Sequence, residues 1–243
     1  MHRLLVETAA LAQPVPALPK EASNHLKVLR PKGGEEVELF DGRGNTRIYR
    51  YDAAAKALGE PSAPVAHPRP PRELTLFACV TKGSRWDWTV EKATELGVTR
   101  IVPVISERTI VRVPPAEREA KRERWARIAA DAARQSDAVW LPDVIAPVSF
   151  AESLPLVAET ECFVGALVDP PPEPMAKAVT AALKRADLRR GFGVYVGPEG
   201  DFTPDELAAL IRIATPVGFG PTVLRAETAA IFGLSVLAAL TER

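Results

Sequence analysis

The stretch 193-GVYVGPEGDFTPDELAALIRIATPVGFGPTVLRAETAAIFGLS-235 contributes most to the prediction of the fold. Its apolar run at residues 194–196 is typical of a buried strand, and the turn sequence Gly-Pro-Glu-Gly follows at residues 197–200. A helix is predicted to begin directly afterwards, because Thr203 can cap it, Pro204 suits its first position and Glu206 can complete a capping box. The stretch thus predicts a strand, a turn and a helix in immediate succession.

A second glycine-containing turn, Gly-Phe-Gly-Pro at residues 218–221, precedes another predicted helix that begins near Ala226. Two such loops, each between a strand and a helix, indicate a small-molecule pocket at the carboxyl ends of strands. Glycine lets backbone N–H and C=O groups approach a ligand closely. For either loop taken alone, the alternative is a turn that only joins a strand to a helix.

The spacing of these glycines argues against two common ligand classes. The chain has neither the G-x-x-x-x-G-K-[ST] phosphate loop nor the G-x-G-x-x-G dinucleotide fingerprint. Glu199 places a negative charge where a phosphate site avoids one, whereas a cationic ligand tolerates a carboxylate. The predicted pocket is therefore more compatible with a cation than with a phosphate.

Composition limits the partners and the compartment. The 243 residues carry 31 basic and 31 acidic side chains, a formal net charge of zero, which argues against a non-specific polyanion binder. Cys79 and Cys162 lie far apart in apolar runs and are predicted to be reduced thiols in the core. The sequence shows no apolar run of transmembrane length and no signal-peptide pattern, so a cytoplasmic location without membrane attachment is expected.

Two domains are predicted, with a boundary in the proline-rich segment at residues 59–72. Residues 1–70 contain closely spaced turn signals, including a hairpin between residues 37–40 and 47–51, which is typical of a small β-barrel. Residues 71–243 alternate strands and helices, which indicates an α/β domain with a mainly parallel, covered sheet.

Within the second domain the apolar patterns predict three strands before the stretch at residues 193–235, and four helices in addition to the one that begins at Thr203. The strands are at residues 74–80, 100–105 and 162–168, and the helices are at residues 84–96, 115–134, 175–187 and 227–240. The last helix is largely apolar, so we expect it to be buried in its own core or against another subunit.

The residues VGPEGDFTPDEL (196–207) and FGPTVLRAETAAIFGL (219–234) resemble the signature pair of the ribosomal small-subunit RNA uridine-N3 methyltransferases, which belong to the SPOUT superfamily. The resemblance covers nearly the whole chain, through KGSRWDWTVEKATELGVTRIVPVISERT (82–109), AARQSDAVWLPDV (132–144) and the weaker match HLKVLRPKGGEEVELFDGRGN (25–45). It implies a parallel α/β sheet with a C-terminal trefoil knot, preceded by a small PUA-like β-barrel that helps to hold RNA. It also implies a homodimer that binds S-adenosyl-L-methionine and needs no metal.

The resemblance implies that three strand ends surround the cofactor. The expected cofactor-binding residues are Leu167, Val168, Val196, Gly197, Pro198, Glu199, Gly200, Phe219, Gly220, Val223, Leu224, Arg225 and Thr228.

N3 of uridine is a poor nucleophile until it loses its proton, so a general base or a cation near the uracil carbonyls is expected. The candidate catalytic residues are Arg225, Glu227 and Arg108. Arg225 is the first choice, because it borders the cofactor loop. An ion pair of Arg225 with Glu227 or Glu199 is the structural alternative, and Glu227 can equally serve as a first-turn carboxylate of its helix.

Because N3 is occupied in a base pair, the target base must be single-stranded or extruded. RNA contacts are expected from Lys27, Arg30, Lys82, Arg85, Gln135 and Ser136, and Lys32, Arg43 and Arg47 are further candidates for phosphate contacts. Solvated surface charges are the alternative for each basic residue. For Lys92, Glu95 and Arg108, which match the family pattern, a salt-bridge role is as plausible as substrate contact.

Two residues depart from the family pattern. Asp201 stands where the family often has a third glycine, and Arg134 stands where it often has Glu.

The predicted activity is therefore methylation of N3 of one uridine in 16S ribosomal RNA, presented by the assembled small subunit. The alternatives are methylation of another RNA or of a ribose 2′-hydroxyl, a non-catalytic RNA-binding assembly factor, and an α/β nucleotide hydrolase, which the missing phosphate loop disfavours.

Overall fold

A computed structural model of the protein describes residues 1–168, 170–185 and 191–241. The chain divides into two compact units, the first formed by residues 1–70 and 130–141 and the second by residues 71–129 and 142–243. Within the described residues, no helix is long and apolar enough to cross a membrane.

The first unit contains a five-stranded sheet and two helices. The strands are β1 (His2–Leu5), β2 (Glu36–Phe40), β3 (Asn45–Asp52), β4 (Ala57–Gly59) and β5 (Val65–Ala66), and the helices are α1 (Thr8–Leu11) and α2 (Lys20–Leu29). The strand order is β1-β2-β3-β4 with β5 also pairing with β3, and only the β1–β2 pair is parallel. The antiparallel β2–β3 pair confirms the predicted hairpin.

Helix α2 begins at Lys20 and runs for ten residues. Ala22 and Leu26 are four residues apart on one face and are both buried in the core of this unit, which stabilises the helix. Arg30 ends the helix in the left-handed conformation, with a φ of 48°.

Residues 130–141 belong to the first unit, whereas the sequence analysis placed them in the second domain. Their backbone extends the hairpin turn, because Gly44 N donates to Val139 O at 2.9 Å and Leu141 N donates to Gly42 O at 2.9 Å. The Trp140 indole N–H donates to Pro68 O at 3.1 Å. These contacts join segments that are far apart in sequence, so no local pattern predicts them.

The second unit is an α/β fold with a seven-stranded sheet. Its strands are β6 (Glu73–Cys79), β7 (Arg100–Ile105), β8 (Asp143–Val144), β9 (Val148–Ser149), β10 (Glu161–Gly165), β11 (Gly191–Val196) and β12 (Thr215–Val217). Its helices are α3 (Ser84–Glu95), α4 (Arg118–Gln135, which continues into the first unit), α5 (Phe150–Ala158), α6 (Met175–Ala182), α7 (Pro204–Ile211) and α8 (Ala226–Thr241).

All strand pairs of this sheet are parallel, in the order β12-β10-β11-β6-β7-β8, and β9 also pairs with β7. Successive side chains of β11 alternate between two cores: Val194 and Val196 pack on one face and Tyr195 packs on the other. Every residue of β11 is buried. This is the covered parallel sheet that the apolar strand patterns predicted.

The predicted element boundaries differ mainly at the ends. Thr203 and Glu206 form the predicted capping box of α7, with Pro204 at its first position. Strand β10 ends at Gly165, so residues 166–168 follow the strand instead of extending it. Helix α6 ends at Ala182, and residues 186 and 187, which the sequence analysis added to it, lie outside the described residues. Both cysteines are reduced thiols buried in the core, as predicted.

The apolar helix α8 packs closely against β11. Gly233 makes this possible, because a Cβ atom at this position would lie 2.6 Å from Cγ2 of Val194. Neither branch of a valine on a central strand can move away without disturbing the core. The small residue therefore sets the distance between helix and sheet.

We expect Gly233→Val to lower the free energy of unfolding by about 2–3 kcal/mol, because it overpacks this contact. Urea denaturation of the purified protein measures the change. Ala239→Val, on an exposed position of the same helix, is the control and should stay within about 0.5 kcal/mol of wild type. Equal stability of the two variants would contradict the packing argument.

Candidate functional site

A cavity of about 800 Å³ lies in the second unit, at the carboxyl ends of β10, β11 and β12. Loops that follow parallel strands in such a sheet are the common position for ligand sites. Three segments form the walls, at residues 165–168, 196–201 and 217–226, with Pro171, Pro172 and Ala229 completing them. The three strand ends that the sequence analysis selected are thus brought together.

The first wall follows β10. A Cβ atom at Gly165 would lie 2.5 Å from the ring of Phe219, so only glycine allows this contact. Ala166 N donates to Val217 O at 3.2 Å, which joins the first wall to the third. Leu167 remains 65% exposed beside the cavity.

The second wall is the Gly-Pro-Glu-Gly turn after β11. Asp201 N donates to Pro198 O at 3.0 Å and closes the turn, and Asp201 itself has a φ of 59°. Its Oδ1 atom accepts a hydrogen bond from Phe202 N at 2.8 Å. Asp is one of the few non-glycine residues that adopt this left-handed conformation without a large penalty, which explains how it replaces the usual glycine.

The third wall is the turn between β12 and α8. Gly220 has a φ of 112°, a conformation that side chains with a Cβ atom rarely adopt. The rings of Phe219 and Phe232 stack at a tilt, with centroids 5.5 Å apart, which ties this turn to α8. Val223 is 76% exposed and Leu224 is partly buried at the cavity.

Among the described residues, the charged groups of the lining are the carboxylates of Glu199 and Asp201 and the guanidinium of Arg225. Glu199 forms an ion pair with Arg85 of α3 at 3.3 Å. The alternative ion pairs of Arg225 with Glu227 or Glu199 are not formed, and the Arg225 side chain has no hydrogen-bond partner within the described residues. Arg225 therefore keeps its donors available at the cavity.

Most of the predicted cofactor-binding residues line this cavity. Those that line it are Leu167, Val168, Val196, Gly197, Pro198, Glu199, Phe219, Gly220, Val223, Leu224 and Arg225. Gly200 and Thr228 do not line it. A Cβ atom at Gly200 would lie 3.5 Å from Cβ of Arg108, and Thr228 is exposed on α8.

The other two catalytic candidates lie outside the lining. Arg108 is exposed, and its Nη1 atom donates to Gly200 O at 3.0 Å and to Phe202 O at 3.3 Å. Glu227 lies in the first turn of α8, and its Oε2 atom is buried with no hydrogen-bond partner among the described residues. An unpaired buried carboxylate oxygen is costly, and such groups are often functional.

The predicted RNA-binding residues are divided between the units. Lys27, Arg30, Gln135 and Ser136 belong to the first unit, and Lys82 and Arg85 belong to the second. All six are exposed, although Arg85 is engaged by Glu199 and the Ser136 hydroxyl donates to Ala132 O at 3.0 Å.

Five further residues were candidates for contact with RNA or substrate, and three of them form interactions within the protein. Arg47 donates to the carbonyls of Ser62 and Leu11, which gives it a structural role, whereas Lys32 and Arg43 are exposed. Lys92 forms ion pairs with Glu91 and Glu95 at 2.8 Å, and these hydrogen bonds raise its pKa. For Lys92 and Glu95 the structure thus contains the salt-bridge alternative.

Sequence reasoning missed several lining residues, namely Gly165, Ala166, Pro171, Pro172, Asp201, Val217, Gly218, Pro221, Thr222, Ala226 and Ala229. Gly165 carried a usable signal, because it interrupts an apolar strand directly before the first wall. The prolines and alanines carry no such signal, since they join the cavity only through the tertiary fold. No cluster of three metal-binding side chains occurs in the described part of the chain.

The sequence matches two family models. The model described as an RNA methyltransferase domain matches residues 68–238, and the model described as an RNA methyltransferase PUA domain matches residues 18–56. Together with the solved structures described below, these matches confirm the predicted α/β fold with an amino-terminal PUA-like domain. The trefoil knot stays a prediction.

Among proteins of known name, the chain is similar to "Ribosomal RNA small subunit methyltransferase E" of Synechocystis sp., with 31% identity over 99% of this chain and 78% of that protein. It is 30% identical to the Bacillus subtilis protein of the same name over 71% of this chain and 68% of that protein.

Two solved structures of similar proteins contain S-adenosyl methionine. A ribosomal RNA small subunit methyltransferase E from Neisseria gonorrhoeae, bound to S-adenosyl methionine, is 27% identical with a TM-score of 0.79 and coverage of 99% and 98%. A putative methyltransferase from Legionella pneumophila, in complex with the same cofactor, is 26% identical with a TM-score of 0.77 and coverage of 98% and 96%.

The left-handed conformation of Asp201 gives a prediction for stability. We expect Asp201→Val to lower the free energy of unfolding by about 1–2 kcal/mol, because a β-branched residue is strained at positive φ. Asp201→Gly should stay within about 1 kcal/mol of wild type, since glycine removes the strain although it loses the Asp201 hydrogen bond. Thermal denaturation of both variants measures the difference, and equal losses in the two would contradict a conformational cause.

Proposed function

This chain belongs to the RNA methyltransferase family whose domain model it matches, and from that premise we propose that it methylates N3 of one uridine in 16S ribosomal RNA with S-adenosyl-L-methionine as methyl donor. The observation that supports this most strongly is the convergence of the three wall segments, at residues 165–168, 196–201 and 217–226, on one cavity. The names of the relatives support ribosomal RNA of the small subunit as the substrate, and the resemblance in the signature motifs supports the uridine N3 position.

The residues present fit this cofactor. A cavity of about 800 Å³ lies within the range of small-molecule sites. Apolar side chains such as Val196 and Leu224 can enclose an adenine, and the bare backbone at the glycines leaves N–H and C=O groups for its polar edges. Glu199 and Asp201 favour a cationic ligand, which a sulfonium is.

The cofactor supplies an electrophilic methyl group on a sulfonium when it is bound. The chain's own tasks are to hold the uracil in line with that methyl group, to exclude water and to favour the N3 anion. The anion carries its charge on N3 and the two flanking carbonyl oxygens, so a guanidinium beside these atoms stabilises it.

The position of Arg225 supports this role. It lines the cavity and has no ion pair within the described residues, so its N–H donors are available to the uracil carbonyls. Arg108 is proposed to contribute a second set of donors beside the Gly-Pro-Glu-Gly turn.

Glu227 is proposed to accept the N3 proton. Among the described residues its Oε2 atom has no hydrogen-bond partner, so this carboxylate holds an acceptor that the fold leaves unsatisfied. It lies in the first turn of α8, directly after the third wall of the cavity.

The remaining parts of the proposal concern assembly. We propose that Lys27, Arg30, Lys82, Arg85, Gln135 and Ser136 contact the RNA and that the enzyme is a homodimer whose partner covers the cavity. The exposed apolar side chains of Leu167, Val223 and Phe232 support a covering partner, because isolated monomers seldom leave such a group together. The knot is proposed to form from the same wall segments, and the cytoplasmic location stays a prediction.

The test is to incubate purified protein and radiolabelled methyl donor with small subunits from a strain that lacks the enzyme, and to map the modified nucleotide by mass spectrometry. A methyl group on N3 of a single 16S uridine is the expected result. Methylation of a ribose or of another RNA would overturn the assignment of the target, and absence of both cofactor binding and methyl transfer would overturn the proposal as a whole.

We expect Arg225→Ala to lower kcat about a hundredfold while the Kd for cofactor changes less than about threefold, because its donors act mainly on the developing anion. Steady-state kinetics and calorimetry measure the two quantities. Arg212→Ala removes an exposed arginine of the same unit and serves as the control. Equal losses of turnover and cofactor affinity would contradict the proposed role.

We expect Gly197→Val to weaken cofactor binding at least tenfold. A Cβ atom at this position already meets the Phe202 ring at 3.1 Å, so a valine must displace the turn that forms the second wall. Calorimetry with S-adenosylhomocysteine measures the affinity. Gly59→Val, where a Cβ atom meets nothing within 4 Å, controls for the substitution itself. Wild-type affinity in Gly197→Val would exclude this turn from the site.

A further inference from the structure

We propose that Glu206 is a positioning residue for Arg108: one carboxylate holds the turn after β7 against the segment that forms the second wall of the cavity. This inference rests on the proposed function, in which Arg108 contacts the substrate. It adds a residue that neither lines the cavity nor belongs to the predicted catalytic set.

Glu206 divides its two carboxylate oxygens between two segments. Oε2 accepts a hydrogen bond from Thr203 N at 3.0 Å, which completes the capping box of α7. Oε1 accepts a hydrogen bond from Glu107 N at 2.9 Å, across 99 residues of sequence. The side chain is buried, with 9% of the residue exposed, so both bonds are shielded from water.

A helix cap does not require the second bond. Helix α5 has the same capping box, in which Ser149 and Glu152 exchange hydrogen bonds. There, Oε2 of Glu152 accepts both the cap hydrogen bond and one from the partly buried Arg118, and within the described residues its carboxylate bonds to no distant backbone group. The bond from Glu206 to Glu107 is therefore an addition to the cap, specific to α7.

The segment that Glu206 holds is a closed turn at residues 106–109. Thr109 N donates to Ser106 O at 3.2 Å, and Ser106 N donates to the Thr109 hydroxyl oxygen at 3.0 Å. The Cys79 thiol contacts this turn, because it donates a hydrogen bond to the Ser106 hydroxyl at 3.4 Å. Burial raises the pKa of the thiol to about 12, so the thiol keeps the proton that it donates. The described residues with positive φ include neither Glu107 nor Arg108, which fits a type I turn.

The second central residue of that turn is Arg108. Its Nη1 atom donates to the carbonyls of Gly200 and Phe202, on either side of Asp201, which lines the cavity. Among the described residues, its Nε and Nη2 atoms have no hydrogen-bond partner. Nη1 thus fixes the guanidinium to the protein, and Nε and Nη2 remain able to donate to a ligand.

The geometry gives Glu206 an indirect role. If the Glu107 N–H loses its acceptor, the turn can shift, and an exposed arginine side chain on a shifted turn no longer presents its free donors at a fixed place. Small displacements of this kind reduce catalysis by about ten- to a hundredfold without removing a catalytic group. Cofactor binding, by contrast, depends on the walls of the cavity.

Four variants test the proposal. Glu206→Gln keeps one oxygen acceptor and puts an NH2 group against the second N–H donor. Glu107→Pro removes that donor from the other side, and proline suits the first central position of a type I turn. Thr203→Ala is the control, because it breaks the capping box on α7 but leaves both carboxylate bonds of Glu206. Arg108→Ala completes a double-mutant cycle with Glu206→Gln.

The measurements are kcat and KM on small subunits, cofactor Kd by calorimetry, thermal stability, and hydrogen exchange of the peptide that contains residues 107–109. We expect Glu206→Gln and Glu107→Pro to lower kcat about ten- to a hundredfold, with cofactor Kd changed less than about threefold. Exchange should be faster at residues 107–109 in Glu206→Gln and at residues 108 and 109 in Glu107→Pro, where residue 107 has no N–H. Thr203→Ala should lower stability alone. In the Arg108→Ala background, Glu206→Gln should lower kcat less than about twofold further.

Two outcomes would overturn the inference: a kcat of Glu206→Gln equal to that of Thr203→Ala, or losses that multiply fully in the double variant. If the wild-type protein transfers no methyl group, the proposed function fails instead. Hydrogen exchange then tests whether Glu206 holds the turn at residues 106–109. Unchanged protection at residues 107–109 in Glu206→Gln would overturn that role, and faster exchange would support it.

Discussion

Burial of both faces of the central strands is the constraint on which the second unit depends. The side chains of β11 alternate between two apolar cores, and the neighbouring β6 and β10 do the same. Such strands accept few polar side chains along their length, and each buried polar group there needs a partner, so most polar side chains lie at the strand ends. The cavity, its glycines and its charged residues all lie at those ends.

The same constraint explains what the sequence allowed us to predict. Continuous apolar runs, the capping residues Thr203 and Glu206, and the turns after the strands are local signals, and they predicted the parallel sheet and the two glycine-containing turns that line the cavity. Signals of this kind need only a few adjacent residues, because they arise from backbone conformation and from the alternation of side chains.

What the sequence did not predict arises from contacts between distant segments. The need for Gly165 depends on the ring of Phe219, and the place of residues 130–141 depends on hydrogen bonds to residues 42 and 44. The sequence indicated Arg108 and Glu227 as catalytic candidates, but it could not predict their surroundings. These are the hydrogen bonds of Arg108 to Gly200 and Phe202 and, among the described residues, the lack of a partner for Oε2 of Glu227. Asp201 is intermediate: its departure from glycine was visible, but its left-handed backbone was not.

The burial of Cys79 and Cys162 limits how fast their thiols react with reagents in solution. Both thiols are reduced and buried in the core, and burial raises the pKa of Cys79 to about 12 because its anion would lie in an apolar interior. The thiolate is the form that reacts with alkylating agents and peroxides, so the folded chain presents almost no reactive cysteine to these reagents. Alkylation of Cys79 therefore requires a local opening of the sheet, and the rate of alkylation measures how often the core opens.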